Sequence, residues 1–136
     1  MIKKNKTCLA QVAEFSNLEQ AWVHIWANAK RQSKNSLDLD NFSLNDFNLD
    51  KKNRLRSISR KLVEGNYNFN NLHPFLIPKP NGKFRLICVP TIEDRIVQRA
   101  LLLVLNQHYH KKFDNGISYG FISQKTVKDA AIQACT

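Results

Sequence analysis

The stretch that decides the fold is Phe75–Pro90, FLIPKPNGKFRLICVP. Two apolar runs flank Lys79-Pro80-Asn81-Gly82-Lys83, and the second run carries Arg85 in its middle. Such runs around an Asn-Gly pair predict a β-hairpin over about 75–89. Two turns compete for the tip. A two-residue Asn81-Gly82 turn would pair Lys79 with Phe84 and Pro78 with Arg85. A three-residue loop, Pro80-Asn81-Gly82, would pair Lys79 with Lys83 and Ile77 with Arg85. Pro80 cannot take the positive φ of a primed turn, but its fixed φ fits the first position of a type I turn. Gly82 suits the left-handed bulge residue that follows. The three-residue register is therefore expected, with Lys79, Lys83 and Arg85 on one face.

Three cations on one face of a proline-stiffened hairpin suit a ligand with several anionic oxygens, such as a triphosphate. Arginine supplies a planar fork and lysine a compact point charge. The same cations also serve as edge charges that keep an exposed hairpin soluble. On the residues alone the two readings stand level.

Working outward, Ser16-Asn17-Leu18-Glu19 has the form of a capping box, and an apolar stripe of Leu18, Ala21, Trp22, Ile25, Trp26 and Ala29 predicts an amphipathic helix over 17–32. Trp22 and Trp26 are expected in the core. Residues 33–49, rich in Asn, Asp and Ser, read as a loop with short turns. Asp50 begins a second helix with Leu55, Ile58, Leu62 and Val63 inward, a solvated basic surface outward, and Gly65 as its stop. After the hairpin, Thr91-Ile92-Glu93-Asp94 caps a third helix reaching about residue 110, with a stripe of Ile96, Val97, Ala100, Leu101, Val104 and Leu105. Its His108 and His110 lie about 200° apart around the axis and cannot chelate together. A short extended segment, ISYGF, and a helical pattern over 124–134 complete the chain. The architecture expected is α+β, helices packed with one β-hairpin.

The 136 residues bound one modest core, and no apolar run is long enough to span a bilayer. Cys8, Cys88 and Cys135 form no C-x-x-C pair, which points to reduced thiols in a cytoplasmic setting. Net charge is +10, and it is uneven. Residues 1–50 hold six Lys/Arg and six Asp/Glu, whereas 51–136 hold fifteen and five. That asymmetry points to a polyanionic partner, nucleic acid ahead of a membrane surface.

The combination IPKPNGKFRLICVPTIEDRIVQRALLLVL followed by SYGF resembles the fingers region of bacterial reverse transcriptases of the group II intron, retron and phage-defence types. The resemblance covers about 55–134. It implies the fingers subdomain of a right-hand polymerase over 51–136 with the palm missing, and an N-terminal extension over 1–50. By this resemblance Lys79 and Arg85 contact the triphosphate of an incoming dNTP, with Lys83 at the tip. Arg95, Gln98 and Arg99 lie beside the template, as do Tyr119 and Phe121. The partners implied are an RNA template, a DNA product strand, a dNTP, and a palm in the same or a separate chain. The full-length family uses Mg2+ held by palm aspartates at a first strand and a Y-x-D-D turn. Neither occurs here, so this chain is expected to bind no metal and to be inactive alone. It departs from the family in two further places. Ile122-Ser123-Gln124-Lys125-Thr126 stands where R-P-G-R-S often follows S-Y-G-F, and only Asp38 and Asp40 stand where a G-x-D-G is usual. The chain ends inside an amphipathic pattern, KDAAIQACT, which reads as a fragment or split protein. The alternative is a standalone basic RNA-binding module.

Overall fold

The hairpin forms in the register that Pro80 demands. The computed structural model describes residues 7–38, 41–114, 116–120, 122 and 124–135. Strands β1 (His73–Pro78) and β2 (Phe84–Val89) pair antiparallel with Ile77 opposite Arg85 and Pro78 opposite Phe84. The Gly82 amide donates to the Lys79 carbonyl at 3.1 Å, and the Lys79 amide to the Lys83 carbonyl at 2.7 Å. Gly82 sits at φ +76°, the left-handed position that glycine occupies without a Cβ clash. The Asn81 side chain accepts from the Lys83 amide and closes the loop.

Six helices accompany the hairpin among the described residues: α1 (Cys8–Val12), α2 (Phe15–Asn28), α3 (Leu44–Leu49), α4 (Lys51–Val63), α5 (Ile92–Phe113) and α6 (Val127–Ala134). The α+β expectation holds, with corrections at several boundaries. The first long helix begins at Phe15 and ends at Asn28, not at 17 and 32. Glu14 precedes it without a side-chain cap, so the Ser16 capping box is not made. A tertiary anchor replaces it. The Asn17 amide group donates to the carbonyls of Val12 at 3.3 Å and Ala100 at 3.1 Å.

The expected loop over 33–49 is partly helical. A 3-10 turn spans Gln32–Asn35, and α3 follows behind a true capping box. The Ser43 hydroxyl accepts from the Asp46 amide, and the Asp46 carboxylate accepts from the Ser43 amide and hydroxyl. These bonds hold the Asp46 carboxyl below its usual range. Leu44 and Phe47 are then buried, and Phe47 stacks on Trp22 with ring centroids 4.5 Å apart.

Within Met1–Leu103, the first of two compact units, α2 lies on α4, and Leu18, Trp22, Leu55 and Ile58 of these helices are buried. Helix α4 stops in a Schellman arrangement. The Asn66 amide donates to Lys61 O and the Gly65 amide to Leu62 O, with Gly65 at φ +71°. Val63 is exposed, as is Leu101 on α5, so both inward stripes are narrower than expected. The second unit, Val104–Thr136, holds the end of α5 and α6. Helix α6 starts at Val127 behind a Thr126–Asp129 capping box, and Ile117, Val127 and Ile132 stand exposed there.

The expected solvated surface of α4 also needs correction at Arg54. Its guanidinium lies over the Phe42 ring at 3.9 Å and pairs with Glu93 at 3.8 Å. Glu93 also meets Lys61 at 3.8 Å, so this acid joins α4 to α5.

Candidate functional site

Strand alternation and the Ile77–Arg85 register place Lys79, Lys83 and Arg85 on one face, all three exposed. No carboxylate pairs with any of them among the described residues. The same face continues down the hairpin through Ile77 and Phe75 to His73, and through Ile87 to Val89. At its base a cleft of about 190 Å³ is lined by His73, Phe75, Val89, Asp38 and Arg95. The His73 ring stacks on Phe75 at 4.3 Å, and its Nδ1 is buried without a hydrogen-bond partner. Asp38 is committed to the backbone here, accepting from the Phe42 amide at 3.1 Å and the Ile92 amide at 3.3 Å. Asp40 lies outside the described residues.

Helix α5 presents the next group. Thr91 caps it by accepting from the Asp94 amide. Arg95, Gln98 and Arg99 then fall on one side, at i, i+3 and i+4. Together they line a second cleft, of about 590 Å³, whose opposite wall is α2 and the turn after it. Gln98 is exposed, and Arg95 and Arg99 are half-buried. Burial pulls the Arg95 guanidinium below its ordinary value, because desolvation disfavours the cation. Arg95 lines both clefts, and so links the hairpin face to the helix.

Sequence reasoning missed the α2 side of this cleft, which holds His24, Asn28 and Lys30. His24 and Asn28 do recur at i, i+4 away from the Trp22 stripe, but nothing in that spacing says what they face. It also read Asp94 only as a first-turn acid. Asp94 is buried, and accepts from the Tyr67 hydroxyl at 2.7 Å and the Asn70 amide at 2.9 Å. It pins the polar connection after α4 to the start of α5.

In the second unit, Tyr119 is half-buried with the Lys125 ammonium 5.0 Å from its ring centroid. Lys125 pairs with Asp114 at 2.5 Å, which holds that carboxyl below its usual range. Phe121 lies outside the described residues. Gln124 takes φ +66°, a left-handed backbone unusual for a residue with a side chain. Thr126 caps α6.

The carboxylates of the described residues do not fit a two-metal centre. Asp94 is buried on Tyr67 and Asn70, Asp129 caps its own helix, and no group of three metal-ligating side chains occurs among the described residues. Nor is any helix among them long and apolar enough to cross a membrane.

No protein-family model matches the chain. Protein YkfC of Escherichia coli (strain K12) is 36% identical over 76 residues, 56% of this chain and 20% of that protein. Group II intron-encoded protein LtrA of Lactococcus lactis subsp. cremoris is 26% identical over 113 residues, 81% of this chain and 17% of that protein. The chain therefore spans about a fifth of the length of the curated relatives it matches.

Proposed function

We propose that this chain is the N-terminal fingers part of an RNA-directed DNA polymerase, holding template nucleic acid and the triphosphate of an incoming dNTP. The observation that carries the reading is the hairpin register, Ile77 opposite Arg85 with Lys79 bonded to Lys83. It gathers three unpaired cations on one face of a strand pair whose turn is fixed by Pro80 and Gly82. A triphosphate presents several anionic oxygens to such a face. Arg85 would grip two oxygens in its fork, and Lys79 and Lys83 would neutralise the rest. Distant similarity to a group II intron-encoded protein supports the same assignment.

The role of these residues is to bind and orient, not to carry out phosphoryl transfer. Bond making at a triphosphate of this kind uses two metal ions to clamp the attacking and leaving oxygens. On this reading the carboxylates for that belong to a palm rather than to the hairpin or the α2–α5 cleft. A basic RNA-binding module without polymerase chemistry would use the helical cations but not the hairpin face.

Calorimetric titration of the chain with a dNTP separates these readings. Loss of a charge-assisted contact worth about 1.5–3 kcal/mol predicts at least a tenfold weaker Kd for Arg85→Ala. Unchanged dNTP affinity in Arg85→Ala and in Lys79→Ala would remove the hairpin from triphosphate binding and leave the RNA-binding module.

A further inference from the structure

We infer that the apolar face of the hairpin, opposite its cations, is a self-association surface on which a second copy of this chain docks. The register that gathers Lys79, Lys83 and Arg85 on one face leaves three cross-strand pairs on the other: Pro74–Cys88, Leu76–Leu86 and Pro78–Phe84. All six residues are exposed, Leu76 at 66%, Phe84 at 63% and Leu86 at 61%. None carries a charge. An antiparallel ribbon with a face in water ordinarily keeps that face polar, and a two-stranded ribbon is marginal until an apolar face is packed. A continuous exposed face of this composition marks an interaction surface.

Charge, shape and the strand edge favour a second copy as the occupant. A chain of net charge +10 repels its own kind wherever cations meet. On this face none do. Two sheets packed face to face stand about 10 Å apart, and the hairpin cations then lie on the outer surfaces, separated by more than a Debye length of about 8 Å. An isologous contact uses one patch twice, so it needs a patch that complements itself. Centring the Leu76–Leu86 pair on the two-fold axis sets apolar side chains against apolar side chains throughout. The edge of β1 disfavours strand addition instead. Lys79 and Lys83 form the bonded pair at the turn, so Pro78, Leu76 and Pro74 occupy the alternate positions whose backbone points outward. Pro74 and Pro78 offer no donor there, which blunts that edge. A bilayer is a poorer cover, because the outer edge of β2, in a sheet of two strands, would carry its backbone groups into lipid without a partner strand. The face supplies on the order of 500 Å² from each copy, in the range of weak, transient interfaces. The expected dimer therefore has a Kd of about micromolar order or weaker. This inference does not rest on the triphosphate reading, since the two faces share no side chain.

Sedimentation velocity on the full chain, from about 5 to 500 µM at roughly 0.15 M salt, tests it. The parent should pass from monomer to dimer across that range. Leu86→Lys and Leu76→Lys each set like charges against each other at the two-fold axis and should weaken the dimer at least about tenfold. Both positions are exposed, so the fold tolerates the change. Val63→Lys, at an exposed apolar residue of α4, should leave the Kd within about twofold. A parent that stays monomeric throughout would overturn the inference. So would a dimer untouched by both hairpin variants, or one lost in Val63→Lys alone, since either places the contact elsewhere. Flotation with vesicles of anionic phospholipid covers the remaining occupant. A monomeric parent that floats, and a Leu86→Lys variant that does not, would assign the face to a membrane and overturn the second copy.

Discussion

Asp94 shows how much one buried carboxylate can fix. Its oxygens accept from the Tyr67 hydroxyl and the Asn70 backbone amide, so the segment after α4 cannot drift from the start of α5, where Arg95 follows in sequence. A hydrogen bond to a charged group contributes about 1.5–3 kcal/mol, and Tyr67→Phe should lower stability by about that much in urea melts. Burial and the bond to Asp94 both favour the neutral phenol, so Tyr67 ionises well above the ordinary tyrosine value of 10.0. As pH rises, the unfolded phenol loses its proton first. The contribution is therefore whole below about pH 10 and is lost above it. The stability gap between parent and Tyr67→Phe should accordingly be constant from pH 7 to 9 and narrow beyond 10. A gap that widened in alkali would contradict the bond's direction. None of this was legible in the sequence, where Asp94 has the spacing of an ordinary first-turn acid and its partners lie 24 and 27 residues away.

At the scale of elements, local chemistry was read well where one residue type settles the geometry. Pro80 excludes the primed turn, and the observed register follows. Gly65 closes α4 because only a left-handed residue completes the carbonyl bonding there. Reading failed where two capping signals competed. Ser16-x-x-Glu19 looked like a helix start, yet the helix begins earlier because Asn17 is anchored to Val12 and Ala100. Ser43-x-x-Asp46 is hidden inside an Asn- and Asp-rich run, although it caps α3, whose Phe47 stacks on Trp22. The two serines therefore behave oppositely when truncated. Ser43→Ala should cost about 1 kcal/mol, and Ser16→Ala should stay within about 0.5 kcal/mol of the parent. Thermal melts of the pair check this, and equal losses would mean that α3 is not held by its cap. The candidate site divides the same way. The hairpin cations were legible from turn chemistry, whereas Lys30 and His24 acquire meaning only once α2 is set against α5.

For the molecule as a whole, the decisive quantity is not the net charge of +10 but where the acids of residues 51–136 are spent. Glu93 pairs with Arg54 and Lys61, Asp94 holds Tyr67, Asp114 holds Lys125, Asp129 caps α6, and Glu64 accepts from Asn66. Each is committed locally, and among the described residues no carboxylate pairs with the cations of the hairpin or of the α2–α5 cleft. On the proposed function a nucleic acid would supply the counter-charge and release condensed counterions on binding. Each single-strand phosphate contact adds about 0.7 to the slope of log affinity against log salt, so Lys30, Arg95 and Arg99 together predict a slope of about −2. Raising salt fourfold, from 50 to 200 mM, should then weaken single-stranded RNA binding roughly twentyfold. Contacts from the exposed basic stripe of α4, Lys52, Arg56 and Arg60, would steepen it further. Anisotropy titrations across that range measure the slope directly. A slope near zero would mean that the uncompensated charge is solvated rather than ligand-bound, and that the clefts take no strand.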